Sequence, residues 1–341
     1  MTPASTSLAP RELLAVLASL VQPETGSGEA VDLRRLKGGY SREMWSFDLL
    51  TAGGRRPLIL CVDSEAGVVG AGPHSLGRVH EAELLAALHG AGLPVPGVAA
   101  AADAGGPLGR PFLIMDRLPG SAAIGPLHRD PRYTQHRGRL ASQLAGILAR
   151  IHAAPVDDRI FGSRPPSYGL TATEQWTAEL QGTPLGTATA FSEAIGWLEG
   201  HVPPPPPQPT LVHGDYRTGN ILHDCDQSGM PNLLSVLDWE MAHLGDPLED
   251  VAWAALVCWR VGTGRVGGLA ELHEWPALYA RAAGRPVESV ALRFWEVLGS
   301  VKMACLMHRA SVAVSDAAER SLLERLLAEL EAETEILLAL D

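Results

Sequence analysis

The first third of the chain alternates hydrophobic and polar residues in the manner of β-strands. Three alternating runs cover residues 31–37, 44–50 and 58–62, and they are separated by Gly39 and by the pair Gly53 and Gly54. Glycine-rich breaks between short apolar runs are typical of turns between antiparallel strands. A further apolar run covers residues 112–115. The pattern predicts a three-stranded meander followed by one more strand.

Helical patterns flank these strands. The apolar run at residues 13–21 follows Glu12 and has no small-residue cleavage site after it, so it predicts an N-terminal helix rather than a secretory leader. Glu81, Leu84, Leu85 and Leu88 recur at helical spacing, and the pattern stops at Gly90 and Gly92. Residues 67–77 are rich in glycine and predict a loop before this helix.

After residue 120 the pattern becomes mainly helical. Apolar residues at 140, 144, 147, 148 and 151 share one helical face, and leucines at 322, 326 and 330 form a stripe within residues 321–340. Five prolines at residues 203–207 predict a stiff, extended connector. The sequence therefore predicts an α+β fold with a small β-rich lobe, residues 1–118, and a larger, mostly helical lobe, residues 119–341.

The composition is that of a globular protein. Hydrophobic residues make up 46% of the 341 residues and charged residues 19%, and a chain of this length is expected to form more than one core. The net charge of -12 argues against nucleic acid as a partner, and no apolar run approaches the roughly 18 residues of a membrane span. Four cysteines without a CxxC pair indicate reduced thiols, which predicts a cytoplasmic protein.

The densest group of chemically active residue types is HGDYRTGN, residues 213–220, directly after a short apolar strand at 210–212. Two further strands, at 221–225 and 233–237, are joined by a turn-rich segment. Gly229 is the midpoint between Asn220 and Asp238, so a symmetric hairpin would place these two residues opposite each other, about 5 Å apart. Their amide and carboxylate oxygens are hard ligands that suit Mg²⁺.

Asp215 lies on the same loop, five residues before Asn220. It would reach the site without serving as a metal ligand, which leaves its carboxylate able to accept the proton of a substrate hydroxyl. Phosphoryl transfer needs this combination, because metal ions offset the charge of the phosphates while one carboxylate orients the nucleophile. The spacing therefore predicts a phosphoryl-transfer site.

Several motifs resemble the aminoglycoside phosphotransferase family, especially the branch that also occurs as a kinase-like domain in some acyl-CoA dehydrogenase family proteins. The strongest are HGDYRTGN at 213–220, LDWE at 237–240 and GDPLEDVAW at 245–253. GGYS at 38–41, MDRLPG at 115–120 and LARIH at 148–152 extend the resemblance over residues 31–260. It implies a protein-kinase-like, two-lobed fold.

The resemblance also implies an activity and a set of roles. The activity is transfer of the γ-phosphate of ATP, with GTP as the alternative nucleotide, to a hydroxyl of a small molecule. Asp215 is the base in the catalytic loop 213–220, and Asn220 and Asp238, in the segment 238–240, bind Mg²⁺. The residues implied to contact the nucleotide are Gly38, Gly39 and Ser41 at the phosphates and Met115, Asp116 and Leu118 at adenine.

One position departs from the family pattern. The third strand normally carries a Lys or Arg that pairs with the phosphates and with a helix Glu, whereas this strand reads LILCVD and offers only Cys61 there. Glu81 is the expected helix carboxylate. We expect Cys61→Arg to raise nucleotide affinity unless the cation comes from a neighbouring strand; the candidates are Lys37, Arg34, Arg35, Arg55 and Arg56.

Three functions remain open at this stage. The first is a small-molecule kinase, and the second is a nucleotide-binding pseudokinase, because strand three lacks its basic residue. The third is a metal-dependent hydrolase using His213, Asp215, His223 and Asp238, although strand alternation should turn His223 away from Asn220. The acceptor is open among an antibiotic, a hydroxyacyl thioester and a sugar- or choline-like alcohol, and the oligomeric state is open.

Three residues near these motifs have structural interpretations. His213 is expected to hold the loop through hydrogen bonds. Asp246, followed by Pro247 and Glu249, fits a helix N-cap with a capping-box glutamate. Asp250 either braces the catalytic loop, as the resemblance implies, or is an ordinary first-turn carboxylate.

Overall fold

The structure is a computed structural model that describes residues 9–21, 28–36, 42–63, 76–103, 106–155, 157–162, 165–314 and 316–340. The chain forms two compact units. The first comprises Met1–Pro119 with Ser235–Glu240, and the second comprises Gly120–Leu234 with Met241–Asp341.

The first unit is built on a five-stranded antiparallel sheet with the strand order β1-β2-β3-β5-β4. Its strands are β1 (Glu29–Arg35), β2 (Arg42–Thr51), β3 (Gly54–Asp63), β4 (Val98–Ala102) and β5 (Phe112–Asp116). The predicted meander and fourth strand are confirmed. The sequence analysis missed β4, because a run of alanines has little intrinsic preference for a strand and is held here by pairing with β5.

Helices α1 (Pro10–Val21) and α2 (Arg78–Gly90) complete the first unit, and both were predicted. Helix α1 buries Leu13 and Leu17 in a core with Phe47 and Leu58 on one face of the sheet. Because side chains alternate along a strand, the residues that directly precede and follow Phe47 and Leu58 face the other side of the sheet. That second face carries polar and charged residues, including Arg42 of β2.

The segment Ser235–Glu240 belongs to the first unit, although the sequence analysis placed 238–240 in the second lobe. Its backbone explains the placement. The Val236 amide donates to the Pro94 carbonyl at 2.8 Å, and the Leu76 amide donates to the Glu240 carbonyl at 2.8 Å. Asp238 is therefore carried by the unit that contains the sheet.

The second unit is mainly helical, as predicted. Its helices are α3 (Ile124–Arg129), α4 (Pro131–Thr134), α5 (Arg137–His152), α6 (Asp158–Phe161), α7 (Tyr168–Gln181), α8 (Thr189–Gly200), α9 (Leu248–Ala255), α10 (Val257–Arg260), α11 (Trp275–Ala283), α12 (Ser289–Ala313) and α13 (Ala317–Leu338). Its strands are β6 (Thr210–Val212), β7 (Ile221–Cys225), β8 (Pro231–Val236), β9 (His243–Gly245), β10 (Arg265–Val266) and β11 (Ala270–Glu271). They pair as β6-β9, β7-β8 and β10-β11.

The helix predictions for the second unit are partly confirmed. The predicted face of α5 is buried, and the prolines at 203–207 lead from α8 towards β6 without forming a helix. In α13 the predicted stripe is wrong at its start, because Leu330 is buried while Leu322 is 46% exposed. The sequence analysis missed α12, which is apolar on most sides and lacks an amphipathic period. No helix in the described ranges is long and apolar enough to cross a membrane.

Candidate active site

The loop 213–220 connects β6 to β7. Its last three residues, Thr218–Asn220, form a 3-10 turn. Gly214 adopts φ +81°, and a Cβ at this residue would lie 2.4 Å from the Met241 carbonyl oxygen, so only glycine fits. On the other side of Asp215, the buried Tyr216 hydroxyl donates to the Leu144 carbonyl at 2.7 Å. The backbone is thus held on both sides of Asp215.

Three side chains donate hydrogen bonds to the Asp215 carboxylate. Trp253 Nε1 lies 2.7 Å from Oδ1, Arg217 Nε lies 3.1 Å from Oδ1, and Asn220 Nδ2 lies 2.6 Å from Oδ2. The Asp215 side chain remains 16% exposed. Charge-assisted donors fix the direction of a carboxylate without removing its capacity to accept a further hydrogen bond. Asp215 therefore presents an oriented acceptor at an accessible edge.

Asp250 of α9 holds the backbone of this loop through buried hydrogen bonds. It is fully buried and accepts hydrogen bonds from the backbone amides of His213 at 2.7 Å and Gly214 at 2.9 Å. Burial by itself would raise the pKa of Asp250, but the hydrogen bond and charge of His152, 3.1 Å away, together with the His213 amide outweigh it, so the pKa lies below its usual value. The structure decides the open alternative for Asp250 in favour of the brace.

Asn220 uses its amide nitrogen within the loop. Nδ2 donates to the Asp215 carbonyl at 3.0 Å as well as to the carboxylate. Both bonds involve the nitrogen, which leaves the oxygen Oδ1 as the atom that Asn220 can offer to a cation. A hard amide oxygen of this kind suits Mg²⁺.

The hairpin β7-β8 differs from the symmetric hairpin that the sequence analysis centred on Gly229. The Asp226 amide donates to the Met230 carbonyl and the Gly229 amide donates to the Asp226 carbonyl, each at 2.9 Å. The turn is therefore centred on Ser228, one residue earlier, because Gly229 takes φ +83° as the last residue of a three-residue loop. The predicted pairing of Asn220 with Asp238 by hairpin symmetry is wrong.

Asp238 lies beyond the end of β8, in the first unit. It has φ +67°, a left-handed conformation that is uncommon outside glycine and is often found at functional positions. Its side chain is 38% exposed, and Arg42 Nη2 lies 3.8 Å from its Oδ1. Asp238 and Asn220 both offer hard oxygen atoms, so the chemistry of the two side chains fits Mg²⁺.

Glu81 has a partner that the sequence analysis did not consider. Arg42 of β2 pairs with its carboxylate through two hydrogen bonds, Nη1 to Oε1 at 3.2 Å and Nη2 to Oε2 at 3.1 Å. Arg78 contacts Glu81 as well, and both arginines reach Glu240, with Arg42 Nε 2.9 Å from Oε2. We call these four buried residues, Arg42, Arg78, Glu81 and Glu240, the Arg42 cluster.

The other candidates for this cation are occupied elsewhere or lie outside the described residues. Three of the candidates form ion pairs elsewhere: Arg55 with Asp48 and Asp32, Arg56 with Asp116, and Arg35 with Glu43. Arg34 lines a cavity of about 410 Å³ together with Asp48 and Arg117. Lys37 is among the residues that are not described. Cys61 is 1% exposed, and burial raises the pKa of its thiol to about 12. The expected gain in nucleotide affinity from Cys61→Arg therefore loses its basis, because the position has no space and Glu81 is already paired.

The residues predicted to contact the nucleotide are only partly described. Gly38, Gly39 and Ser41 lie outside the described residues, as do residues 67–75 of the predicted glycine-rich loop. Met115 and Asp116 end β5, where Asp116 accepts a hydrogen bond from Arg56 Nε at 2.9 Å, and Leu118 follows in an irregular segment. All three are half-buried.

With this geometry described, the chain can be compared with known proteins. The sequence model of the phosphotransferase enzyme family matches residues 32–289. The chain belongs to this family.

One curated relative of this chain is the mouse protein named acyl-CoA dehydrogenase family member 10, which is 30% identical over 189 residues. The match covers 54% of this chain but only 17% of the mouse protein, so the chain corresponds to a small part of that relative. This is the branch to which the sequence motifs pointed.

Two solved structures share the fold of this chain. A Ralstonia eutropha protein described as an aminoglycoside phosphotransferase has a TM-score of 0.69 at 21% identity, with 95% of this chain and 97% of that chain covered. Aminoglycoside phosphotransferase APH(4)-Ia, in a ternary complex with ADP and hygromycin B, has a TM-score of 0.60 at 19% identity, with 95% and 98% covered. The predicted protein-kinase-like fold is confirmed.

The contacts of His213 and His223 do not suit the hydrolase alternative. The two ring nitrogens of His223 contact the Tyr133 hydroxyl at 3.0 Å and the Ala123 carbonyl at 2.8 Å. His213 is fully buried, and its Nδ1 accepts from the Asp215 amide at 3.2 Å. Both histidines are engaged in holding the fold, as expected for His213, so neither is placed to ligate a metal.

Two residues at the site were missed as functional. Trp253 was interpreted as core or pocket wall, yet its indole N–H is bonded to Asp215. Its signal was available, because a buried indole N–H needs an acceptor. Arg42 gave no signal, because its contact with Glu81 depends on how β2 and α2 are placed in the tertiary fold.

Proposed function

We propose that this chain is a Mg²⁺-dependent phosphotransferase that moves the γ-phosphate of a nucleoside triphosphate to a hydroxyl of a small molecule, with Asp215 as the base. The observation that carries this proposal is the fixed carboxylate of Asp215, which accepts from Trp253, Arg217 and Asn220 while one edge stays accessible. A base must be held within hydrogen-bond reach of the proton that it takes.

The role of Asp215 follows from its position on the loop. Its free lone pairs accept the hydrogen bond of the acceptor hydroxyl, which points the hydroxyl oxygen at the phosphorus. As the new O–P bond forms and the bond between the γ-phosphorus and the leaving nucleoside diphosphate breaks, Asp215 takes the proton of the hydroxyl. Asp250 keeps the two preceding amides in place, so this geometry does not need to be created during the reaction. The proton is held on the Asp215 carboxylate after transfer.

We assign Mg²⁺ to Asn220 Oδ1 and the Asp238 carboxylate. When bound, the ion offsets the negative charge of the phosphates. The second hydrogen-bonding role of Asn220, towards Asp215, would couple the orientation of the base to that of the metal ligand.

The nucleotide is assigned as ATP, with GTP as the alternative. Its phosphates would contact Gly38, Gly39 and Ser41, and its purine would contact Met115, Asp116 and Leu118. Support comes from the family match and from the structural relative that holds ADP.

The Arg42 cluster favours an enzyme over the pseudokinase alternative. That alternative rested on the absence of a basic residue in strand three that would pair with the phosphates and with Glu81. Arg42 provides a bidentate partner from β2 instead of β3, and a guanidinium in this arrangement is a stronger and more directional donor than a lysine ammonium. We therefore propose that Arg42 replaces the strand-three cation in holding Glu81.

A transfer assay with a panel of hydroxylated metabolites and antibiotics tests the proposal. The expected result is a phosphate adduct, detected by mass, that forms only with nucleoside triphosphate and Mg²⁺. Asp215→Asn should then lower kcat by about 10² to 10⁴-fold, as for a lost general base, and leave nucleotide affinity close to wild type. Asp238→Ala should instead abolish the Mg²⁺-dependent part of nucleotide affinity, measured by calorimetry.

Asp224→Asn is the matched control, because it makes the same chemical change at an exposed position of β7. Its kcat and nucleotide affinity should equal those of the wild type. Wild-type turnover by Asp215→Asn would remove Asp215 as the base. A wild-type protein that binds no nucleotide with Mg²⁺ would remove the proposed function itself.

A further inference from the structure

Lys302 is one of only two lysines in the chain and lies in the middle of α12. It is surrounded in sequence by the apolar run VLGSVKMAC, and it is 4% exposed. An ammonium group is costly to bury unless charges and hydrogen-bond acceptors surround it. What Lys302 contacts therefore explains why it is placed there.

The ammonium of Lys302 reaches the catalytic loop directly. Nζ donates to the Gly214 carbonyl at 3.1 Å and to Glu249 Oε1 at 3.0 Å. It also lies 4.6 Å from the centroid of the Trp253 ring, within the range of a cation–π interaction. Two of these three partners, Gly214 and Trp253, adjoin or contact Asp215.

Glu249 extends the contacts to His243. Glu249 Oε2 lies 3.0 Å from His243 Nε2, and His243 Nδ1 lies 2.9 Å from the Met241 carbonyl, to which it can only donate. Burial opposes the charged forms of both residues, but their mutual attraction outweighs it, so the pKa of Glu249 lies well below its usual range and the pKa of His243 is raised. Glu249 is thus not the capping-box residue that the sequence indicated.

These contacts surround the peptide bond between Gly214 and Asp215. The Met241 carbonyl oxygen that receives the His243 hydrogen bond is also the atom against which Gly214 packs. Lys302 holds the Gly214 carbonyl, and the Asp215 amide in the same planar peptide donates to His213 Nδ1. The preceding peptide is held by Asp250 through the Gly214 amide. Both peptide planes before Asp215 are therefore held.

We propose that Lys302 is a positioning residue for Asp215, acting through the Gly214 carbonyl, and that Glu249 and His243 hold its ammonium in place. We call these three residues the Lys302 brace. The inference rests on the proposed function, in which Asp215 is the base. The brace fixes the peptide plane that sets the direction of the Asp215 side chain.

Lys302→Met tests the brace, because methionine keeps an unbranched side chain and leaves Glu249 paired with His243. Amide hydrogen exchange should become about tenfold faster in residues 213–217 and remain at the wild-type rate in the sheet β1-β2-β3. With an acceptor found in the transfer assay, kcat should fall by about 10²-fold while the Kd for nucleotide with Mg²⁺ stays within about twofold. Lys302→Arg, which retains a cation, should recover part of both losses.

Arg309→Met provides the matched control on the same helix. It removes an ion pair with Glu179, 2.6 Å away, that has no part in the loop 213–220. Exchange in residues 213–217 and kcat should match the wild type. If Lys302→Met behaves like Arg309→Met in both measurements, the inference is overturned while the proposed function remains.

The exchange measurement also tests the Lys302 brace when the proposed function fails. If the wild type transfers no phosphate, the proposed function fails, and faster exchange confined to residues 213–217 in Lys302→Met would still establish the brace. If Lys302→Met does not fold, Glu249→Gln takes its place in the same comparison, because it removes the charge that holds the Lys302 ammonium. Unchanged exchange in residues 213–217 in that variant would likewise overturn the inference.

Discussion

At the scale of single residues, the Arg42 cluster concentrates four charges in the interior of the first unit. Arg42 and Glu81 have side chains that are 6% and 2% exposed, and Glu240 is 5% exposed. Charges buried to this extent must be compensated by close partners, and removal of one partner leaves the others with an unpaid desolvation cost. The contribution of the cluster is therefore measured best by removing its central cation.

Arg42→Met should lower the free energy of unfolding by about 3–5 kcal/mol, because Glu81 and Glu240 lose a buried partner. Arg35→Met is the matched control on β1, where the arginine side chain is 58% exposed and 3.8 Å from Glu43; it should change the free energy by less than about 1 kcal/mol. Urea unfolding at neutral pH measures both. Equal effects of the two variants would show that the cluster does not stabilise the unit.

At the scale of elements, α9 supplies three side chains that serve the loop 213–220. Asp250 accepts from its backbone, Trp253 donates to its carboxylate, and Glu249 holds Lys302. The three residues occupy the first two turns of α9, so their positions depend on where that helix begins. Asp246 sets this start, because its Oδ1 accepts a hydrogen bond from the Leu248 amide at 2.9 Å.

Asp246→Ala should therefore cost about 1 kcal/mol of stability, as expected for a lost N-terminal cap, and should also speed exchange in residues 213–217. Asp246→Asn keeps an oxygen at the capping position and should lose much less. Thermal unfolding together with hydrogen exchange measures both effects. A stability loss of the same size in both variants would mean that the cap is not the important contact of Asp246.

At the scale of the whole molecule, stability depends on the pH through the ionisation of buried carboxyls in a chain that carries a net charge of -12. Glu296 of α12 is the clearest case. Burial, and then repulsion from Glu333, raise its pKa to about 7. The folded protein thus binds a proton at Glu296 that the unfolded chain has already released near neutral pH, so stability falls as the pH rises from about 4.5 towards about 7.

Glu296→Gln should remove this penalty. We expect the variant to be more stable than the wild type by about 1–3 kcal/mol at pH 8, and to show no gain at pH 4, where the wild-type carboxyl is protonated in both states. Glu335→Gln makes the same change of charge at an exposed position of α13 and should have little effect at either pH. Thermal unfolding measured as a function of pH tests this. The prediction is wrong if the stability of Glu296→Gln and that of Glu335→Gln depend on pH in the same way.

The sequence alone predicted the two-part α+β organisation, because alternation and helical spacing are local properties of the chain. It also identified the loop 213–220 and a helix start next to Asp246, because both depend on residues that are close in sequence. The helix begins one residue later than predicted, with Pro247 at its N-cap. It missed β4 and α12, whose residues take their conformation from what they pack against. The turn between β7 and β8 was misplaced by one residue, because Gly229 closes a three-residue loop rather than marking its centre.

The sequence by itself determined which residue types are present for phosphoryl transfer and the order in which they follow the strand β6. Only the tertiary structure decided that Arg42, from another strand, pairs with Glu81, and that Lys302, 88 residues from Gly214, contacts the loop 213–220. The physical reason is that a buried charge is stable only beside partners that compensate it. Such partners are chosen by proximity in space, which spacing along the chain does not reveal.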